Sequence, residues 1–438
     1  MTKMALPTAD PTQRVLLIGV VLRGTTSMLT IDDSLDELEQ LANTAGMSVV
    51  GRMHQKLSIP NPSTYIGSGK IADLIDLIET TAADAVVFDS ELSPRNQKEL
   101  EKLIGDNIQI LDRTALILYI FASNANTREG GLQVELAQYE YRLPRLTRQW
   151  KHLARQAGGA SGRTGSIGGV GLRGPGEKQL EVDRREITRR ITKLKKELQK
   201  VRKHRSHHRK RRQSSKVSVV AMVGYTNTGK STLLSRLSDT DILIANRLFA
   251  TLDPTTRRID WPSGCSFLLT DTVGFIQKLP STVIAAFRAT LEEIVEADLL
   301  LHIIDVTHRC CIDQAHVVMQ TLDEIGVPKI PIITVLNKTD MLNDMKIPDT
   351  LINEFPGGIP ISGMSGHGID KLVSAIQNHL SASMVEVTVS LPYINGDLIS
   401  MFHQYGIDVD AQHGEESVTL SGELPVSVAR RFSRYRCR

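Results

Sequence analysis

Gly224-Tyr-Thr-Asn-Thr-Gly-Lys-Ser231 follows the apolar run VSVVAMV and opens onto a helical stretch beginning at Lys230. The octapeptide fits G-x-x-x-x-G-K-[ST], and the strand–loop–helix setting is where that pattern becomes a phosphate cradle. Gly224 and Gly229 let backbone N–H groups curl around phosphate oxygens, with Tyr225, Thr226, Asn227 and Thr228 completing the loop and Thr232 following it. Lys230 brings a cation to the β and γ phosphates, and the Ser231 hydroxyl is placed to ligate Mg²⁺. A glycine-rich turn without a ligand is the bland alternative. Outward from this loop, strand-like and helical stretches alternate between Val217 and about Ser381: CSFLLTD, DLLLHIIDV, IPIITVLNK and IDKLVSAIQNHL. That alternation predicts a doubly wound α/β domain.

A P-loop does not choose between ATP and GTP. The choice falls on Asn337-Lys338-Thr339-Asp340, directly after the strand-like IPIITVL. Guanine presents N1–H and N2–H₂ as donors, and one carboxylate, Asp340, can accept both; adenine offers no such pair. Ser362-Gly363-Met364, after another short apolar run, is placed to close a base pocket with backbone groups. Asp271-Thr272-Val273-Gly274 ends the strand FLLT, so Asp271 is expected to support the Mg²⁺ shell and the Gly274 amide to report the γ-phosphate; an ordinary strand-to-turn boundary is the other reading. Phe249-Ala250-Thr251-Leu252-Asp253 offers Thr251 as a hydroxyl that reaches Mg²⁺ only with GTP bound, and loops held by a γ-phosphate are released when it leaves. Phe275 stands where Ras-type GTPases carry the glutamine that orients water, so intrinsic hydrolysis to GDP is expected to be slow. A missing catalytic group can come in trans or from a monovalent cation such as K⁺ held by Asn227. That asparagine can equally be only a brace of the loop.

Upstream, Val15 to about Phe121 alternates VLLIGVVL, SLDELEQLANTAG, KIADLIDLIETT, AVVFD and IQILD, which predicts a separate α/β unit with a mainly parallel sheet. Leu132, Leu136, Tyr139, Leu143, Leu146, Trp150 and Leu153 then repeat at four- and three-residue spacing. Leu180, Ile187, Ile191, Leu194, Leu198 and Val201 resume that seam beyond a glycine-rich segment. Two such helices predict a long antiparallel hairpin, kinked or divided at Pro144, whose tip carries Arg155, Arg163 and Arg173. Packing of one hairpin helix on the other explains the seam more simply than dimerisation, so a monomer is expected.

The net charge of +3 says less than its placement, because KHRSHHRKRR near residues 202–212 has no compensating carboxylate. Clustered cations of this kind favour nucleic acid. With aromatics at 4% of the chain, recognition through backbone and shape fits better than base stacking. The pieces after Val385, including VTVSLP and DLISMFHQYG, look too small for much stability alone. The expected multidomain organisation is therefore an N-terminal α/β domain (1–124), a helical hairpin (125–215), a P-loop GTPase domain (216–382) and a small C-terminal α+β domain (383–438). The four cysteines have no metal-ligand spacing and read as free thiols of a reducing cytosol. No apolar run approaches bilayer length, so a cytoplasmic protein without a membrane span is expected.

YIGSGK at Tyr65, FDSELSP at Phe88, DRTALIL at Asp112, LQVELAQ at Leu132, LPRLT at Leu143, RGPGEKQLE at Arg173, GYTNTGKST, FATLDPT and DTVGFIQKLP together resemble the HflX family of translation-associated GTPases. These matches span about residues 60 to 300, and the N-terminal ones have no role in a generic GTPase domain. The resemblance implies binding to the large ribosomal subunit, its RNA and proteins, with stress-linked splitting or rescue of stalled ribosomes and the hairpin tip near the peptidyl-transferase region. It also implies Gly224 to Ser231 for phosphates, Ser231 and Thr251 for Mg²⁺, Phe249 to Asp253 as a switch, Asp271 to Gly274, and Asn337 to Asp340 for guanine. Two departures from the family stand out: Ser362-Gly363 where Ser-Ala is usual, and an additional SGRTGSI in the tip. The competing readings are an RNA-binding GTPase of ribosome assembly, a scaffold that keeps GTP bound without hydrolysis, and a metabolic P-loop phosphotransferase. The last leaves Asn337 to Asp340 and the basic run without work.

Overall fold

The computed structural model describes residues 13–24, 30–105, 107–149, 175–215, 218–238, 248–249, 254–260, 266–278, 293–342, 346–381 and 384–437. The chain divides into two compact units. The first comprises Met1–Val201 together with Ala245–Asp253 and Ile276–Ala289; the second takes the remainder.

In the first unit, β1 (Arg14–Leu22), β2 (Ser48–Leu57), β3 (Ala85–Phe88) and β4 (Gln109–Asp112) form one sheet of order β2-β1-β3-β4. Every pairing in it is parallel. β1 and β3 are buried along nearly their whole length, the pattern of central strands covered on both faces. The covering helices are α1 (Ile31–Thr44), α2 (Ser68–Thr81), α3 (Pro94–Ile104) and α4 (Arg113–Asn124). Thr30 starts α1 with a capping box, its hydroxyl accepting from the Asp33 amide at 3.2 Å while the Asp33 carboxylate accepts from the Thr30 amide.

α5 (Arg128–Gln149) continues through Pro144 as a single element instead of dividing there. The proline removes one backbone donor, but Arg145 immediately beyond it is held by four hydrogen bonds: Nε donates to Gln97 Oε1 at 3.1 Å, Nη1 to the Tyr141 carbonyl at 2.9 Å, and Nη2 to the Leu92 carbonyl at 2.8 Å and to Asp112 at 3.2 Å. Asp112 also caps α4 through the Ala115 amide and accepts from the Tyr141 hydroxyl. The expected second helix of the seam is α6 (Pro175–Ser215), 41 residues long. Ile191, Leu194 and Leu198 are buried on it, and Arg190 and Lys195 pair with Glu135 and Glu140 of α5. At about 1.5 Å per residue α6 is about 60 Å long. The glycine-rich tip with Arg155, Arg163 and Arg173 lies outside the described residues.

The second unit centres on a six-stranded sheet of order β10-β9-β8-β5-β7-β6. Its members are β5 (Ser218–Gly224), β6 (Thr255–Asp260), β7 (Ser266–Asp271), β8 (Leu299–Asp305), β9 (Ile332–Asn337) and β10 (Ile359–Pro360). Only β6 runs antiparallel. α7 (Lys230–Ser238), α8 (Cys311–Ile325), α9 (Asp349–Glu354) and α10 (Ile369–Ser381) accompany it. Val220, Met222, Leu233, Leu269, Leu301, Ile361 and Ile376 belong to one apolar core, which pins the carboxyl ends of β5, β7, β8 and β9.

The last residues form an antiparallel sheet of order β11-β13-β12, from β11 (Met384–Pro392), β12 (Ile407–His413) and β13 (Ser417–Pro425). α11 (Gly396–Tyr405) and α12 (Val426–Ala429) flank it, and Phe402 meets Phe432 edge to face at 5.4 Å. Val387, Val389, Leu420 and Leu424 give this small sheet a core of its own.

Candidate functional site

The loop between β5 and α7 is built from backbone geometry that few residues tolerate. Asn227 and Gly229 hold φ of +62° and +91°. A Cβ on Gly229 would stand 2.4 Å from Asn337 Nδ2, so glycine is required there on two grounds. Gly224 is similarly confined, since a Cβ would lie 2.5 Å from the Ile303 carbonyl oxygen. Lys230 turns back into the loop, donating to the Gly224 and Tyr225 carbonyls at 3.0 and 2.6 Å. Burial pushes its ammonium down to about 8, against the opposing pull of Asp271. Thr228 Oγ1 closes the loop on the Tyr225 carbonyl at 3.0 Å.

The end of β7 lies beside this loop. Ser231 Oγ donates to Asp271 Oδ2 at 2.6 Å, and Thr272 Oγ1 donates to the Met222 carbonyl at 2.5 Å. Gly274 approaches so closely that an added Cβ would be 2.9 Å from Thr226 Cα and 3.2 Å from Lys230 Nζ. Phe275 is bridged to Tyr225: its amide donates to the Gly224 carbonyl at 3.0 Å, and its carbonyl accepts from the Thr226 amide at 2.8 Å. The residue in the glutamine position of Ras-type GTPases is thus a buried backbone clasp.

On the other side, Asn337 at the end of β9 joins two loops. Its Nδ2 donates to the Thr228 carbonyl at 2.7 Å, and its Oδ1 accepts from the Gly363 amide at 3.0 Å. Lys338, at φ +67°, is tied to Asp305 Oδ2 at 2.5 Å, and Thr339 Oγ1 donates to the Ile361 carbonyl. Asp340 is exposed in the short 3₁₀ turn Thr339–Met341. Ser362 is buried and accepts from the Ser365 amide, whereas Met364 is 74% exposed. Thr232 lies in the first turn of α7, and Val273, two residues beyond β7, is buried.

Of the switch segment Phe249 to Asp253 only Phe249 is described; Ala250, Thr251, Leu252 and Asp253 lie outside the described residues. Sequence reasoning missed Asp305, whose Oδ1 accepts from Thr307 while Oδ2 holds Lys338. The signal was the carboxylate that ends the run LLLHIID. It also missed His302, a buried histidine of β8 whose Nε2 has no hydrogen-bond partner among the described residues. Burial first, and the Lys230 charge second, push its imidazole down to about 4.

A phosphate-type loop on β5, a carboxylate on β7 and an Asn-Lys-x-Asp turn on β9, meeting at the carboxyl edge of a doubly wound sheet, define a P-loop GTPase. Comparison with known proteins narrows this class. The family models described as GTP-binding GTPase N-terminal, GTP-binding GTPase Middle Region, 50S ribosome-binding GTPase and HflX C-terminal domain match residues 32–122, 124–212, 219–338 and 353–435. GTPase HflX of Magnetococcus marinus is 43% identical over 401 residues, covering 91% of this chain and 89% of its own. GTPase HflX of Escherichia coli is 40% identical over 402 residues, covering 91% and 92%. A crystal structure of a GTP-binding protein from Sulfolobus solfataricus in complex with GDP is 23% identical, with a TM-score of 0.42, covering 84% of this chain and 98% of that one. The chain belongs to the HflX family of GTPases. It therefore binds and hydrolyses GTP. Among the described residues no helix is long and apolar enough to cross a membrane.

Proposed function

We propose that this GTPase acts on the large ribosomal subunit, where bound GTP favours association, hydrolysis favours release, and the long basic helix turns binding into splitting or rescue of a stalled ribosome. The observation that carries the reading is the match of residues 219–338 to a 50S ribosome-binding GTPase within a chain that also bears α6 and its carboxylate-free run KHRSHHRKRR. Clustered cations on a long helix suit the phosphates of structured RNA.

In this reading Gly224 to Ser231 hold the phosphates, Asp340 takes guanine, Gly274 reports the γ-phosphate, and Thr251 is the switch hydroxyl. Asn337 braces the base pocket by tying Thr228 to Gly363. Ser231 and Asp271 present hard oxygen donors side by side, which suits Mg²⁺, and the ion would neutralise phosphate charge there. Asn227, in its left-handed loop position, is the group to which a K⁺ ion would bind.

Steady-state hydrolysis of GTP and ATP, with and without purified large subunits and in K⁺ and Na⁺ buffers, tests this. Stimulation by subunits specific to GTP is expected. Hydrolysis indifferent to subunits, with no co-sedimentation of the GTP-bound form, would overturn the ribosomal role.

A further inference from the structure

The turn at 362–368, which follows β10 within the second unit, satisfies most of its amides internally. The Ser362 amide donates to the His367 carbonyl at 2.9 Å, and the Gly366 amide to the Ser362 carbonyl at 2.9 Å. The Ser365 amide donates to Ser362 Oγ at 3.0 Å, and the His367 amide to Ser365 Oγ at 3.4 Å. Gly363 gives its amide to Asn337 Oδ1 at 3.0 Å. Of the amides of residues 362–367, that of Met364 alone has no acceptor among the described residues, and Met364 is exposed. A single open N–H held in a fixed place discriminates between bases. Guanine carries the O6 acceptor where adenine carries an amino donor, so such a group favours the first and opposes the second.

Discrimination of this kind needs a turn that does not drift, and α7 supplies the support. A Cβ on Gly363 would stand 3.7 Å from the Leu233 amide nitrogen and 3.8 Å from Leu233 Cα. One on Gly366 would stand 2.5 Å from Arg236 Nη2 and 3.1 Å from Arg236 Nε. Leu233 and Arg236 are three residues apart and share one face of the helix, so the turn is laid along that face. Leu233 is buried in the apolar core, whereas Arg236 is exposed and reaches the turn from outside. Its Nη2 donates to the Ser365 carbonyl at 3.1 Å, one residue beyond Met364. Gly366, at φ +87°, leaves the guanidinium the room that a side chain would take.

We propose that Arg236 is a positioning residue for guanine recognition: bonded to the Ser365 carbonyl, it holds the turn so that the Met364 amide meets O6 of the base. The proposal rests on the guanine pocket proposed for this chain, with residues 362–364 as its lip. The helix that opens with the phosphate lysine thereby also fixes the base end of the same site.

The test uses the full chain and measures displacement of a fluorescent GDP by GDP, by 6-thioguanosine diphosphate and by inosine diphosphate. The first analogue keeps N1–H and N2–H₂ and replaces O6 with sulfur, a weaker acceptor; the second keeps O6 and lacks N2–H₂. The wild-type protein is expected to prefer GDP to the sulfur analogue about fivefold, the worth of one hydrogen bond. Arg236→Met keeps the stem and removes the donor. It should bring that preference within about twofold, by weakening GDP, while the preference for GDP over inosine diphosphate stays as it was. Arg236→Lys can still donate and should restore most of the preference. Because Arg236 is exposed, both variants should fold, which thermal unfolding checks.

Equal weakening of all three nucleotides by Arg236→Met would make Arg236 a merely structural residue and overturn the proposal, as would failure of Arg236→Lys to restore the preference. A wild-type protein that binds GDP and its sulfur analogue alike would remove the turn from the base pocket, and the proposal with it. A wild-type preference that persists in Arg236→Met would leave the pocket standing and overturn the positioning role alone.

Discussion

Asp340 stands exposed in its 3₁₀ turn while the neighbours that hold the turn, Lys338 and Thr339, are tied to Asp305 and Ile361. That division leaves the carboxylate exposed, as the proposed guanine contact requires. Asp340→Asn inverts the hydrogen-bond pattern offered to guanine, so the variant should lose GTP affinity at least tenfold and gain xanthosine triphosphate. Competition binding checks it, and unchanged guanine preference would remove Asp340 from the base site. Lys230, Ser231 and Asp340 could be singled out in the sequence as candidates because phosphate and guanine chemistry fix both residue type and spacing. His302 was not, since a histidine inside an apolar strand carries no pattern. Its titration has a consequence for stability. The folded imidazole, pushed down to about 4, lies below its ordinary 6.5, so as pH falls the unfolded chain takes up the proton first. Stability is therefore lost progressively from about pH 6.5 to about pH 4, by about 3 kcal/mol in all. His302→Leu should flatten that part of the acid limb, measured as the difference between urea melts of the two proteins across the same pH range. An unaltered limb would show that His302 is not the group responsible.

Elements repeat the lesson on a larger scale. The central strands announced themselves as unbroken apolar runs, and the alternation with helical periods predicted both doubly wound sheets. What the runs do not carry is the lateral order of strands, which depends on pairings between distant segments: β5 between β7 and β8, or β3 between β1 and β4. Nor did composition foretell that α5 passes through Pro144, because the compensation comes from Arg145 reaching Leu92 and Asp112, more than thirty residues away in sequence. Asn337 illustrates a joint between elements. The Asn-Lys-x-Asp pattern marks it as part of a base pocket, and its amide also joins the loops beyond β5 and β10 through the Thr228 carbonyl and the Gly363 amide. Asn337→Ala leaves both buried groups without this partner, at about 1–3 kcal/mol each. The expected outcome is a destabilised protein whose GDP and GTP affinities fall together, by calorimetry and nucleotide titration. A selective loss of GTP alone would place Asn337 on the γ-phosphate side instead.

At the scale of the whole chain, charge is segregated in a way the net value hides. α6 ends in KHRSHHRKRR, a run with no compensating carboxylate. If that run meets ribosomal RNA, its contribution is largely counterion release, which is sensitive to salt and indifferent to sequence. Replacing Arg209, Lys210, Arg211 and Arg212 with glutamine should then weaken binding of the GTP-bound protein to large subunits most strongly at low salt. The slope of log affinity against log salt should shrink by about one for each phosphate that is no longer neutralised. Hydrolysis in the absence of subunits should stay at the wild-type rate, because none of the four is among the residues proposed to hold the nucleotide. Co-sedimentation across a salt series, paired with subunit-stimulated turnover, reads both quantities on the same preparation. Reduced stimulation together with a smaller salt slope would place the basic run on RNA. An unchanged slope with undiminished stimulation would move the ribosomal interface to another surface, and the run would then be a solvated helix face whose cations serve only to keep the helix in water.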